Sequence, residues 1–122
     1  MKKTFLFIFC FFVLLANANG SDWQTIGSND YGTQFVDMES VVYQNNIVKF
    51  WTKMVFSTEQ YMSSIEEIDC IKKNYRILRC ELYKKDEIVP TKCSTFDWTF
   101  IPPDTFTQSF SKKICSEIKD NQ

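Results

Sequence analysis

The segment that decides the fold of this chain is IVKFWTKMVF, residues 47–56. Its residues divide into two alternating sets, because successive side chains of a β-strand point to opposite faces. One set is apolar except for a threonine: Val48, Phe50, Thr52, Met54 and Phe56. The other set mixes apolar and basic residues: Ile47, Lys49, Trp51, Lys53 and Val55. The pattern predicts a strand with one face in the core and the other face partly exposed.

The neighbouring segments predict further strands that continue an antiparallel meander. Asn45 and Asn46 indicate a tight turn just before the central strand, since asparagine tolerates positive φ. Two short upstream strands are predicted at Trp23–Ile26 and Gln34–Asp37, and a turn is predicted over residues 37–40. Downstream strands are predicted at Tyr61–Asp69, Tyr75–Tyr83 and Ile88–Val89, separated by a lysine-rich turn and by the charged tip Lys84–Glu87. In the strand 75–83, alternation places Ile77 and Tyr83 on one face.

The C-terminal segment changes from a period of two to a period near four. Pro102 to Thr105 supply residues that favour the start of a helix, because proline suits its first turn and an acidic residue favours the positive end of its dipole. Apolar residues then recur every four positions at Phe106, Phe110, Ile114 and Ile118, which predicts one apolar stripe along a helix. The predicted fold class is therefore α+β: an antiparallel β-sheet packed by a C-terminal α-helix.

The N-terminus predicts export. Lys2 and Lys3 precede the apolar run Phe5–Leu15, and Ala16 to Ala18 provide the small residues of a cleavage site. The run has about half of the roughly 20 residues that a membrane-spanning helix needs, which argues against the alternative of an uncut anchor. Residues 1–18 are expected to be a secretory signal peptide and residues 19–122 a single domain without a transmembrane segment. The expected location is the periplasm, the cell surface or the medium.

Composition argues against nucleic-acid binding and catalysis. The 122 residues carry 14 basic and 15 acidic side chains, a net charge of −1, and no histidine. Nucleic-acid binding needs a basic face, and histidine is the commonest general base and metal ligand. Glu66, Glu67 and Asp69 form an acidic cluster, but adjacent Glu66 and Glu67 should point to opposite faces of a strand. We expect no catalytic residue, no metal site and no cofactor.

Four of the five cysteines follow the predicted signal peptide: Cys70, Cys80, Cys93 and Cys115. An even number of cysteines in a small exported domain indicates disulfides, because the compartment is oxidising and the core is small. Four cysteines allow three pairings, and their spacing alone does not choose among them. The remaining Cys10 follows the bulky Phe9, where a lipidation motif needs a small residue, so a lipid anchor is not expected.

A series of motifs, taken in order and spacing, resembles the surface-adhesin protein E family. The series is Trp23, Asp37-x-x-Ser40-Val41, Val48-x-Phe50-Trp51, Glu67-Ile68-Asp69-Cys70, Tyr75-Arg76-Ile77-Leu78, Tyr83, Trp98 with Ile101-Pro102-Pro103, and Ile114-Cys115. The resemblance implies an antiparallel sheet with a C-terminal helix and a disulfide between Cys70 and Cys115. Cys80 and Cys93 are additional to the family pattern, and they flank the tip 84–87, where a cross-strand bridge is geometrically reasonable. In that tip the resemblance implies a glycine, which this chain lacks.

The resemblance implies a binding module for host or matrix proteins. The candidate binding surface consists of the sheet face with Trp51, Lys49 and Lys53, together with Lys72 and Lys73 in the turn after Cys70. Aromatic and long basic side chains on a rigid sheet are good anchors for a protein partner. The alternative for the tryptophan is packing in the core or in a dimer interface.

Two further hypotheses concern partners. The chain is alternatively a periplasmic structural or inhibitor-type protein that presents the tip Lys84–Glu87 to an envelope or enzyme partner. A homodimer is also expected, because the strand 47–56 has apolar residues on both faces and a single helix covers only one face.

Overall fold

The structure is a computed structural model that describes residues 21–93 and 95–121, so the predicted signal peptide lies outside the described residues. Its elements are β1 (Trp23–Asn29), β2 (Gly32–Gln44), β3 (Ile47–Val55), β4 (Gln60–Asp69), β5 (Asn74–Lys84), β6 (Glu87–Val89), β7 (Thr95–Phe100) and α1 (Phe106–Asn121). The strands form one antiparallel seven-stranded sheet in the order β1 to β6, and β7 pairs with β5. The predicted α+β class, an antiparallel sheet with one C-terminal helix, is confirmed.

Strand β3 lies inside the sheet and shows the predicted alternation. Val48, Phe50 and Thr52 are at most 3% exposed, whereas Trp51 between them is 39% exposed. The placement of Phe56 in the core is wrong: this side chain is 38% exposed. The strand ends one residue earlier, and the backbone N–H of Phe56 donates to the carbonyl of Gln60, the first residue of β4.

Strand β2 runs through the stretch where a turn was predicted. The register with β3 shifts just after Asp37, which marks a β-bulge. The Asp37 carboxylate accepts hydrogen bonds from the backbone N–H groups of Asp22 and Glu39, at 2.9 and 3.1 Å. The hydroxyl of Ser40 donates to the Asp37 carbonyl and accepts from the N–H of Trp51, at 2.6 and 2.8 Å. Turn-forming side chains therefore support an irregularity within one strand and do not end it.

The far edge of the sheet is divided between two strands. β6 pairs with the end of β5, and β7 pairs with its beginning, so the chain returns twice to the same strand. The sequence did not predict β7. A second irregularity lies between the partners of Ile65 and Glu66, which face Arg79 and Ile77. This bulge places Ile77 opposite buried Glu66 and away from Tyr83, so the prediction that Ile77 and Tyr83 share a face is wrong.

Helix α1 starts where the sequence predicted. The hydroxyl of Thr105 accepts from the N–H of Gln108 at 3.2 Å, and the Gln108 side chain accepts from the N–H of Asp104 at 2.8 Å. These bonds satisfy amide groups that lack partners within the helix. Near its first residue the helix lies close to β1: a Cβ on Gly27 would lie 2.3 Å from the ring of Phe106. The absence of a side chain at Gly27 thus allows the close approach.

The core lies between α1 and one face of the sheet. Phe110 and Ile114 are 3% and 0% exposed, and the ring centroid of Phe110 lies 4.8 Å from that of Phe50. The other buried apolar residues are Val36, Val48, Ile68 and Ile101. Phe106 is half-buried, and the side chain of Ile118, the last member of the predicted stripe, lies outside the described residues. The helix therefore covers one sheet face through its central turns.

Two disulfides connect these elements. Cys70, after β4, is joined to Cys115 in α1, with their Cα atoms 5.6 Å apart. Cys80 in β5 is joined to Cys93 before β7, with a Cα separation of 5.8 Å. These are the pairs that the family resemblance and the position of the charged tip led us to expect. The first bridge cross-links the helix to the sheet. The second bridge closes the loop of residues 80–93, which contains the turn between β5 and β6.

Candidate functional site

The sheet face that points away from α1 is the candidate binding surface, and we call it the open face. The residues of β3 that alternate with the core set reach this face: Lys49 and Trp51 are exposed, and Lys53 is half-buried. Trp51 is 39% exposed, so it does not pack in the core between helix and sheet. The structure thus places three of the five candidate binding residues on one face, at neighbouring positions of a single strand.

Two aromatic rings flank the Lys53 side chain on the open face. The Nζ atom of Lys53 lies 4.8 Å from the ring centroid of Trp23 and 5.3 Å from that of Tyr61. Tyr61 in turn stacks on Tyr83, its cross-strand partner, with 4.7 Å between centroids. Cation–π contacts of this kind contribute about 0.5–1 kcal/mol at exposed sites. They hold the Lys53 side chain in place, so less conformational entropy is lost when a partner binds.

Ion pairs extend the open face across β4 and β5. Arg76 bonds the carboxylate of Glu67 at 2.8 Å, and its guanidinium lies 4.5 Å from the ring centroid of Trp98. Further along β5, the Tyr83 hydroxyl donates to Glu81 at 2.6 Å, and Arg79 pairs with the same carboxylate.

The hydrogen bond between Tyr83 and Glu81 shifts both titrations. It lowers the pKa of Glu81, with help from Arg79, and it raises the pKa of Tyr83. Both groups therefore keep their ordinary charge states near neutral pH, with the carboxylate ionised and the phenol neutral. The open face thus presents basic, acidic and aromatic groups, and several of them are held by a neighbouring side chain.

The two remaining candidate residues, Lys72 and Lys73, lie elsewhere. Both are exposed in the turn between β4 and β5, where the Asp69 carboxylate accepts from the N–H groups of Ile71 and Lys72 at 3.0 Å. Lys73 has a positive φ of 58°. The candidate residues therefore belong to two elements: Lys49, Trp51 and Lys53 lie on β3, and the two lysines lie in the turn between β4 and β5.

The charged tip between β5 and β6 is a turn of two residues, Lys85 and Asp86. Both have positive φ, 52° and 64°, and both are exposed. This is the backbone of a type I′ hairpin turn, which glycine and asparagine usually occupy. The chain makes the turn without the expected glycine.

The three acidic residues of the predicted cluster do not converge. Glu66 is buried on the helix side, where its carboxylate accepts from the Thr52 hydroxyl at 2.8 Å. Glu67 pairs with Arg76 on the open face, and the carboxylate of Asp69 is bound within its turn. Burial raises the pKa of Glu66, and the hydrogen bond from Thr52 opposes this shift.

The raised pKa of Glu66 predicts a pH-dependent stability that glutamine would remove. Because the folded state holds the proton more tightly than the unfolded state, this residue stabilises the fold below its unfolded pKa, about 4.3. That contribution is lost as pH rises through the folded pKa. We expect Glu66→Gln to match the wild type at low pH and to become the more stable protein as pH rises. Urea unfolding across this pH range measures the difference.

Glu67→Gln is the matched control for this prediction. It removes a partly exposed ion pair, worth about 0–1 kcal/mol, from the adjacent residue on the opposite face. We expect it to show no gain in stability as pH rises. A Glu66→Gln protein whose stability follows that of the wild type at every pH contradicts the assignment.

Several residues of the open face were not singled out from the sequence: Trp23, Tyr61, Arg76, Tyr83 and Trp98. Their grouping depends on strand register, which brings together residues far apart in the chain. Trp98 carried a local signal, because Phe96, Trp98 and Phe100 alternate with polar residues in the segment 95–100. That alternation is typical of a strand and could have revealed β7.

The fold and the open face together define a small disulfide-linked α+β domain that leaves one sheet face uncovered by its helix. The chain belongs to the surface-adhesin protein E family, whose sequence pattern matches residues 23–116. The solved structure of Haemophilus influenzae protein E has a similar fold, with a TM-score of 0.59 and 15% sequence identity. That similarity covers 80% of this chain and 86% of the other. No curated protein sequence matches the chain.

Membership of this family confirms the resemblance found in the sequence and supports an adhesin-like surface protein. Within the described part of the chain, no helix is both long enough and apolar enough to span a bilayer.

Proposed function

We propose that residues 1–18 direct export and that the domain acts as a non-catalytic adhesin-like module, which binds host or matrix proteins through the open face. The family match supports a surface protein. The basic and apolar segments of the N-terminus support export through a signal peptide. The chemistry of the open face supports a protein partner, because tryptophan, tyrosine and arginine, which this face presents at Trp51, Tyr61 and Arg76, dominate the energetics of protein interfaces.

The exposure of Trp51 is the observation that carries this proposal. It is 39% exposed on the open face, between Lys49 and Lys53 on the same strand. Tryptophan is the residue most enriched among those that dominate binding energy, and a strand inside a sheet holds it rigidly. The helix covers the opposite face, so a partner reaches Trp51 without displacing the core.

Combined replacement of Trp51 and Lys49 by alanine tests the proposal. If Trp51 is a binding hot spot, its loss costs about 2 kcal/mol or more, which corresponds to roughly 30-fold weaker binding. Surface plasmon resonance against a panel of immobilised extracellular-matrix proteins measures the change. Lys113→Ala is the control, because Lys113 is exposed on α1, away from the open face. Unchanged binding by a correctly folded double variant would remove the open face from the proposal.

A second copy of the chain is the competing occupant of the open face. Sedimentation equilibrium of the wild type and the double variant separates the two cases. A dimer that the double variant dissociates assigns Trp51 to self-association, as the apolar residues on both faces of β3 led us to expect. If the wild type stays monomeric at high concentration, self-association through the open face is excluded, and a different protein remains the expected partner.

The second candidate function is a periplasmic structural or inhibitor-type protein that presents the charged tip. The disulfide between Cys80 and Cys93 favours it, because this bridge holds the arm that carries Lys85 and Asp86. Against it, a two-residue turn offers a partner few contacts. Protease treatment of intact cells distinguishes the candidates: loss of the protein supports surface display, and loss only after permeabilisation supports a periplasmic role.

A further inference from the structure

A pocket lies beside the disulfide that joins the helix to the sheet. Its volume is about 200 Å³. The apolar part of its wall consists of Ile68, Phe100, Ile101 and the bridge between Cys70 and Cys115. Phe100 is 71% exposed, whereas Ile68 and Ile101 are at most 6% exposed. The pocket therefore has a buried floor, formed by Ile68 and Ile101, and one side formed by the exposed ring of Phe100.

Two lysines line the same pocket. Lys73 comes from the turn between β4 and β5, and Lys112 comes from α1. Both are exposed, and neither takes part in the ion pairs that the described residues form. The one acidic residue of the lining, Asp69, accepts hydrogen bonds from two backbone N–H groups of its turn. The charge available to a ligand at this pocket is therefore positive.

We propose that this pocket binds a free carboxylate with a short alkyl chain, a medium-chain fatty acid. The alkyl chain would lie against Ile68, Phe100 and the disulfide, and the carboxylate would pair with Lys73 and Lys112. Apolar walls with a few polar groups at fixed positions are typical of small-molecule sites. Charge-assisted hydrogen bonds from lysine to carboxylate are stronger than neutral ones. This site is separate from the open face and does not depend on the proposed function.

The volume favours a small ligand over a larger one. Sites for drug-sized molecules are roughly 300–1,000 Å³, so a pocket of about 200 Å³ suits a single short chain. A ligand of this size has few atoms, and ligand efficiency places its Kd in the range of about 0.1–10 mM.

Titration of the oxidised chain with octanoate, followed by ¹H–¹⁵N NMR, tests the proposal. We expect saturating shifts at the amides of Phe100, Ile101 and Lys112. Octylamine has the same alkyl chain with a positive charge, and we expect no saturating shift from it. Equal binding of octylamine overturns the proposal, and so do octanoate shifts centred on the open face. Tighter binding of N-acetyl-leucine than of octanoate would assign the pocket to peptide C-termini and overturn the fatty-acid assignment.

Two pairs of adjacent lysines provide a test variant and a matched control variant each. Lys112→Glu reverses a charge at the pocket, and Lys113→Glu makes the same change at the next residue, which is exposed and outside the lining. We expect the first to weaken octanoate binding at least tenfold and the second to change it less than twofold. Lys73→Asn, which tolerates the positive φ of that position, should also weaken binding, with Lys72→Asn as its control. Equal effects within either pair contradict the proposal.

Discussion

Replacement of Phe110 by alanine should lower the free energy of unfolding by about 3–5 kcal/mol. Phe110 is 3% exposed, and its ring meets that of Phe50 edge-on at 4.8 Å between centroids. Truncation removes buried apolar surface, leaves a cavity between helix and sheet, and breaks an aromatic pair. Small domains have a total stability of about 5–15 kcal/mol, so this single change should remove a large part of it.

Urea unfolding followed by far-ultraviolet circular dichroism measures this loss. Ser109→Ala is the matched control, because Ser109 is the adjacent helical residue and is exposed. Substitutions at such surface positions usually change stability by less than about 0.5 kcal/mol. A loss below about 1 kcal/mol for Phe110→Ala would show that the helix does not pack on the sheet through this ring.

Removal of the bridge between Cys70 and Cys115 should cost about 4 kcal/mol, because it closes a long loop. The two cysteines are 45 residues apart in sequence, and the stabilisation from a cross-link grows with the length of the loop it closes. The bridge between Cys80 and Cys93 spans 13 residues, and its removal should cost about 3 kcal/mol. The first loss should also loosen α1, since within the described residues this bridge is the one covalent cross-link between the helix and the sheet in addition to the main chain.

The two double variants, with both cysteines of a pair changed to alanine, are compared by thermal and urea unfolding under non-reducing conditions. We expect the Cys70→Ala/Cys115→Ala protein to be the less stable of the two. Hydrogen exchange at the amides of α1 should rise in this protein and stay low in the Cys80→Ala/Cys93→Ala protein. The reverse order of stability would contradict the loop-length argument.

The central strand and the helix were predictable because each carries a strong local period. In β3, Val48, Phe50 and Thr52 are buried and Lys49 and Trp51 are exposed, as alternation required. In α1, the spacing of four placed two apolar side chains in the core. A single period of two or four decides which side is buried when the element has one partner face.

The course of β2 was not predictable from local residue types. Asp37 and Ser40 are turn-forming residues, and their side chains do bond to the backbone as turn residues do. Cross-strand pairing with β3 resumes after the bulge, and within the bulge the Ser40 hydroxyl accepts from the N–H of Trp51. That contact spans 11 residues of sequence. The residue types around Asp37 do not reveal this long-range contact.

The candidate site was predictable in part. Alternation along β3 brought Lys49, Trp51 and Lys53 to one face, but it gave no reason to join Lys53 with Trp23 and Tyr61. Those contacts depend on the register of β1, β2 and β4 relative to β3, which is a property of the whole sheet. The turn residues Lys72 and Lys73 were grouped with them by charge alone, and the structure places them in the turn between β4 and β5 and not on β3.

The division of the far sheet edge between β6 and β7 affects where a strand of another chain can pair with this sheet. That edge has only three residues in β6, and the exposed Pro90, which has no N–H to donate, follows it directly. The opposite edge, β1, contains neither proline nor a charged residue in WQTIGSN. Strand addition is thus disfavoured at β6 and remains open at β1. Two copies that pair through β1 would use up this edge in both chains.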